Sequence, residues 1–307
     1  MISPQYRAQV DLLLRILPHV ATEESLALKG GTAINLFLRE MPRFSVDIDL
    51  TYLPSDARAA ALTAISDALR RVKQRLETAI PRIVVTAQPI NEGQDAKLVC
   101  ALQQATVKIE VNTVMRGHLW PTRQMQLVQA AQDEFSKFAQ AQIVSDAELF
   151  GGKICAALDR QHPRDLFDIH QLFAHQGISG DLWLGFLAAL LSHTRPIHEL
   201  IRPNLQDQRS VFDVQFAGMT VEPFTYEDFE ATRERLIGEI HKGLTDDHRA
   251  FLISFKEGEP DWKLFPLPAL NAMPAIQWKL ENIRKLRDQN AAKHAKQLLA
   301  LNEALSR

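Results

Sequence analysis

Residues 26–54, LALKGGTAINLFLREMPRFSVDIDLTYLP, decide the fold. Leu26 to Lys29 leads into the pair Gly30–Gly31, and Thr32 to Arg39 then reads as a helix. From Phe44 onward the chain alternates. Phe44, Val46, Ile48 and Leu50 would share one face of a strand, and Ser45, Asp47, Asp49 and Thr51 the other. Two carboxylates two residues apart on one strand face stand roughly 7 Å apart at their Cα atoms. Such a pair is either a solvated polar face or the hard-oxygen seat of a divalent cation such as magnesium. The glycines upstream have two readings as well. They make a tight turn, or they let backbone N–H groups at a helix start approach a phosphate. Taken jointly, a glycine turn before a helix and an S-x-D-x-D strand point to a triphosphate held by the turn and a metal held by Asp47 and Asp49.

Two-metal phosphoryl chemistry uses a further carboxylate from a neighbouring strand. TVKIEVN offers Glu110, which alternates with Val107, Ile109 and Val111; a surface glutamate is the other reading. Downstream, ELFGGKICAALDR places Lys153, Ala157 and Arg160 on a helix face with Leu149. Lys153 among apolar neighbours could reach phosphates as a point charge. In RDLFDIHQLF, Asp165 and Asp168 share a face opposite Leu166, Ile169 and Phe173, and charge of this kind is ordinarily solvated.

The 307 residues allow two domains, and 46% apolar with 23% charged residues is an ordinary globular composition. No run of about 18 apolar residues marks a membrane span. The opening MISPQYRAQVDLLLRIL lacks the basic start and cleavage site of a signal peptide and reads as an amphipathic helix, so a cytoplasmic protein with no membrane partner is expected. Cys100 and Cys155 read as buried thiols, too few for a zinc site. A net charge of −2 excludes a whole-molecule basic field and leaves room for a local basic patch.

Strand-like segments SVDIDLTYL, RIVVTAQP and CALQQATVKIEVNTVM surround one long helix, SDARAAALTAISDALRRVKQRLETAI, with Ser55 or Asp56 as its cap. From Ser145 the patterns are helical: a capping box from Ser145 to Glu148, a restart at Pro163, a stop at Gly177, and an apolar central helix in DLWLGFLAALLSH. A single last helix is expected in PAIQWKLENIRKLRDQNAAKHAKQLLALNEAL, after a proline-rich loop. The expectation is an α+β chain, with a sheet domain at 1–144 and a helical domain at 145–307.

In this order, KGGTAINLF, RFSVDIDLTY, KIEVN, GGKICAALDRQHPRDLFDIHQL and the closing FKEGEPDWKLF resemble the AbiEii/AbiGii-type nucleotidyltransferase toxins, which include the mycobacterial MenT group. The resemblance covers nearly the whole chain. It implies a polymerase-β-like nucleotidyltransferase core with a mixed sheet, a helical domain that completes the active site, and Mg2+ or Mn2+ with an NTP substrate. It also implies an antitoxin encoded nearby, without a stable complex being assumed. Gly30, Gly31, Thr32 and Ser45 match the nucleotide-binding motifs, and Asp47 and Asp49 the catalytic metal ligands, with Glu110 in the place of a third. Lys153 matches a lysine, and Asp168 an aspartate, required for toxicity; Arg164 and Asp165 lie in the same motif. The reaction implied is NMP transfer to an acceptor hydroxyl, the 3′ end of tRNA in some members, which blocks translation. Basic runs, Arg70, Arg71, Lys73 and Arg75 on one helix and Lys279, Arg284, Lys285, Arg287, Lys293 and Lys296 on another, are either soluble helix faces or a tRNA footprint. Transfer to a protein or small molecule, and a non-catalytic NTP-binding module, stay open as alternatives.

Overall fold

The computed structural model describes residues 3–91, 94–265 and 267–306. The chain divides into two compact units, Met1–Ser145 with Val214–Pro223, and Asp146–Asp213 with Phe224–Arg307. The first unit therefore takes back a ten-residue segment that no shift in composition announces.

The first unit holds helices α1 (Pro4–Val20), α2 (Gly30–Ala33, running on as a π-helical turn Ile34–Leu38), α3 (Arg58–Ala79) and α4 (Gln129–Phe135). Its strands are β1 (Leu26–Lys29), β2 (Asp47–Tyr52), β3 (Val84–Asn91), β4 (Gln94–Leu102), β5 (Ala105–Asn112), β6 (Arg123–Gln126) and β7 (Gln140–Ile143). They form a mixed seven-stranded sheet in the order β3-β4-β5-β2-β1-β7-β6. β2 is antiparallel to β1 and parallel to β5, which sets Asp49 opposite both Lys29 and Glu110. The alternation in β5 is complete: Val107, Ile109 and Val111 are buried while Lys108 and Glu110 are exposed. α1 and α3 lie on the sheet and bury Leu13, Ile16, Ile65, Leu69 and Val72 against it.

Several details depart from expectation. β6 and β7 are short and polar and carry no alternation to announce them. α3 starts at Arg58 with no side-chain cap, and Asp56 instead accepts the Tyr52 hydroxyl. β2 begins only at Asp47, yet Phe44 and Val46 before it are buried as the alternation requires.

The second unit is helical: α5 (Asp146–Arg160), α6 (Pro163–His175), α7 (Gly180–Ser192), α8 (Ile197–Ile201), α9 (Arg209–Val211), α10 (Tyr226–Gly243), α11 (Asp246–Glu257), α12 (Pro274–Gln289) and α13 (Ala291–Leu305). The single last helix expected is two helices. Asn290 adopts φ −150° and ψ 70°, and its side chain accepts the Lys293 N–H at 3.0 Å, so it starts a new helix. The apolar α7 is buried along α5, where the two backbones approach at glycines. A Cβ on Gly151 would stand 2.6 Å from the Phe186 nitrogen, and one on Gly185 would strike the Ala147 carbonyl.

This packing separates two adjacent glycines. Gly152 faces open space within 4 Å, so Gly152→Ala should stabilise the chain by up to about 1 kcal/mol through helix propensity. Gly185→Ala, and Gly151→Ala likewise, should lose about 2–3 kcal/mol because two backbones must move apart. Thermal or denaturant unfolding of the three variants checks the opposite signs.

Candidate active site

Gly30 has φ +70°, a left-handed conformation that side chains rarely adopt. A Cβ there would also collide with Asp49 Oδ2, so the carboxylate from β2 lies directly over the glycine turn. Gly31 is the second close approach. A Cβ on it would fall 2.6 Å from Arg43 Nη2 and 3.0 Å from Ser45 Oγ. Thr32 is 0% exposed, and its hydroxyl hydrogen-bonds Ser45 Oγ at 2.9 Å and the Asp47 carbonyl. A hydroxyl has one proton and a carbonyl only accepts, so Thr32 donates to Asp47 O and Ser45 completes the pair. Thr32 and Ser45 thus tie the helix start to the aspartate strand from within. The sequence reading grouped both with the nucleotide ligands, and the structure shows what they hold together.

Asp47 and Asp49 are half-buried. The donor set fits magnesium, which binds one or two protein carboxylates and takes its other ligands from substrate phosphates and water. The seat of Asp49 Oδ2 in the Cβ space of Gly30 brings that oxygen to the glycine turn. Among the described residues, no group of three His, Cys, Asp or Glu side chains is gathered closely enough to hold an ion. Glu110, although in register with Asp49, pairs with Lys97 on β4 at 3.4 Å. Both line an open cavity of about 320 Å3, together with Gln88 and Asn112.

In the second unit, Lys153, Asp165 and Asp168 form a buried cluster. Lys153 Nζ lies 2.8 Å from Asp165 Oδ1 and 2.9 Å from Asp168 Oδ2, and the three residues are 6%, 2% and 1% exposed. Arg160 closes the other side of Asp165, with Nε 2.7 Å from Oδ2 and Nη2 3.1 Å from Oδ1. The face that reads as solvated is therefore interior, because its charges are neutralised there. Burial alone would raise the Asp165 pKa, but the charges and hydrogen bonds of Lys153 and Arg160 hold it well below the usual carboxylate range. Arg164 stands at the start of α6, its backbone N–H capped by His162 Nδ1 at 3.1 Å.

Much of the basic charge is engaged inside each unit. Arg71 and Arg75 both grip the buried Glu23, and Arg70 pairs with Asp67 at 2.6 Å. Lys73 lies 3.7 Å from Glu77. Lys279 donates to the His193 and Arg195 carbonyls at 2.6 and 2.7 Å, just past the end of α7, and burial pushes its pKa down to about 8. Arg284 donates to the Gly258 carbonyl and Arg287 to the Glu257 carbonyl. Lys285, Lys293 and Lys296 are exposed.

Arg43 is a residue of the site that the sequence reading passed over. Arg43 has the odd-numbered parity of Ser45, Asp47 and Asp49, so carrying the alternation two residues upstream would have found it.

The buried cluster has a pH signature. Asp165 has a folded pKa below its ordinary 3.8, so its contribution to stability is present above that value and is lost as pH falls below it. Lys153→Met leaves two carboxylates buried without their shared cation and should cost about 3–5 kcal/mol at neutral pH. Protonation relieves that burden, so the variant should gain stability on acidification from pH 8 to 5. Thermal midpoints across pH 3–8 read both trends; equal profiles for the two proteins would contradict them.

The family model described as nucleotidyl transferase AbiEii toxin, type IV toxin–antitoxin system, matches residues 11–282. Among solved structures, MenT4, a nucleotidyltransferase toxin from Mycobacterium tuberculosis, superposes with a TM-score of 0.61 over 91% of this chain and 93% of its own. At 14% sequence identity that likeness is one of fold. No curated protein matches the chain. With a family model spanning most of its length, the chain belongs to the AbiEii nucleotidyltransferase toxins of type IV toxin–antitoxin systems.

Proposed function

We propose that the protein transfers a nucleoside monophosphate from an NTP to the 3′ end of tRNA, releasing pyrophosphate and blocking translation. The observation that carries the transfer reaction is the Asp49 carboxylate lying over the Gly30 turn, a metal ligand beside a phosphate-binding backbone. Asp47 and Asp49 would hold Mg2+ or Mn2+, and that ion would supply positive charge to the phosphates. Gly30 and Gly31 present the start of α2 to the phosphates. Thr32 and Ser45 keep that start fixed to β2.

Lys153 and Asp168 act as one unit. The lysine fixes Asp168 and Asp165 in a single orientation inside the second unit. Arg164, at the start of α6, and Asp165 support that unit. Glu110 stands beside Asp49 as the reserve third carboxylate, paired with Lys97. Support for tRNA comes from membership in a toxin family and from the exposed Lys285, Lys293 and Lys296, whose charge suits a phosphate backbone. The partner expected of such a toxin is an antitoxin encoded nearby, without a stable complex being assumed. The ion pairs along α3 favour a second reading, transfer to a small molecule or protein, because that helix offers a nucleic acid little uncompensated charge.

Label transfer from each of four α-labelled NTPs, with magnesium and total tRNA, tests the reading. One NTP should label tRNA, and Asp49→Asn and Asp47→Asn should each lose at least about a thousandfold while keeping the wild-type thermal midpoint within a few degrees. Gly30→Ala should be as inactive, since the new Cβ displaces Asp49. Labelled protein or small molecule in place of tRNA would establish the second reading. Full activity in Asp49→Asn would sink the site itself.

A further inference from the structure

We propose that Arg43 is the buried cation of the nucleotide site, a positioning residue whose guanidinium braces the glycine turn from beneath and adds positive charge where the triphosphate binds. The inference rests on the site reading above, and it also explains why position 31 is a glycine. Arg43 is 2% exposed. Its Nη2 fills the space of a Gly31 Cβ, beside Ser45 Oγ, and its Nη1 donates to the Phe44 carbonyl at 2.9 Å. A guanidinium buried this deeply needs its donors satisfied, and the bond to Phe44 helps fix where it stands.

The surrounding chain holds Arg43 in place. It forms a β-bridge with Thr220, and on either side Phe44 N–H donates to the Met219 carbonyl at 2.8 Å and Val221 N–H to the Pro42 carbonyl at 2.9 Å. The returning segment Val214–Pro223 therefore clamps residues 42–44 against the first unit. A guanidinium so fixed need not reorganise when an anion arrives, and in a region of low dielectric its charge is weakly screened. The backbone at Gly31 is not left-handed, so its conformation does not demand glycine. Position 31 needs to be glycine to admit Arg43.

Equilibrium binding of a nucleoside, its monophosphate and its triphosphate, with thermal midpoints, tests the proposal on the full-length protein and on Arg43→Gln, Arg43→Lys, Gly31→Ala and Gly31→Ala/Arg43→Lys. Arg43→Gln should bind the triphosphate at least tenfold more weakly and the nucleoside within twofold of wild type. Arg43→Lys should lie between, since the charge remains and the fork is gone. Gly31→Ala keeps every charged group yet pushes the guanidinium aside, and should also weaken triphosphate binding tenfold. Pairing it with the slimmer Arg43→Lys should recover part of that loss. This last pair keeps the test decisive should Arg43→Gln fail to fold. A folded Arg43→Gln with wild-type triphosphate affinity overturns the role of Arg43 alone. So does a loss equal for nucleoside and triphosphate, which is the mark of a merely structural residue. Wild type that binds no triphosphate overturns the nucleotide-site reading and this inference together.

Discussion

The Asp49 carboxylate occupies the space that a Cβ on Gly30 would fill, and this mutual exclusion organises the first unit. The turn must be left-handed at Gly30 for α2 to start where it does, and it must be bare for β2 to bring its acid so close. Once those two conditions hold, the hydroxyls of Thr32 and Ser45 fall within reach of each other and of the Asp47 backbone. A strand and a helix start are then joined by buried polar bonds, in a place where most folds would put apolar contact. Such a joint is rigid because each member is satisfied by the next. That rigidity suits phosphoryl transfer, which depends mainly on where charges stand before the substrate arrives.

The second unit solves a different problem with the same economy of parts. Two aspartates in an interior would repel and would be poorly solvated. Lys153 sits between them and Arg160 covers the outer edge, so two cations balance two anions in one compact group. The arrangement fixes Asp168 through its partner more firmly than packing could. It also makes lysine length matter, since the reach from α5 to both carboxylates on α6 is set by the side chain.

What the sequence revealed and what it hid follow from the range of the forces involved. Alternation in β2 and β5 is local, and burial on one face enforces it, so both strands and the Asp49–Glu110 neighbourhood were legible. The helices from α5 to α7 carry their own apolar faces, with Pro163 opening α6 and the left-handed Gly177 following its end. β6 and β7 exist only because neighbouring backbone is available to pair with, and RQMQ or QAQI alone says nothing of it. Asn290 was hidden inside a convincing helical period, although a single capping bond is enough to break the helix there. The charges of α6 misled in an instructive way. Asp165 reads as solvated from its own surroundings, and its partner Lys153 lies twelve residues upstream on another helix. The glycines were recognised as a turn, whereas the groups that require them, Asp49 and Arg43, are set by the approach of distant chain.

The return of Val214–Pro223 to the first unit has a consequence in time. A domain made of one continuous stretch can finish folding as soon as it leaves the ribosome, but this one waits for a segment made after Asp146–Asp213. At ordinary rates of synthesis that interval is roughly 3–14 s. Until then the strand edge at residues 42–44 lacks its bridge to Thr220 and the bonds from Met219 and Val221. A nascent or prematurely ended chain thus carries the aspartate strand without its clamp. The order of synthesis delays the clamped aspartate strand until most of the chain exists.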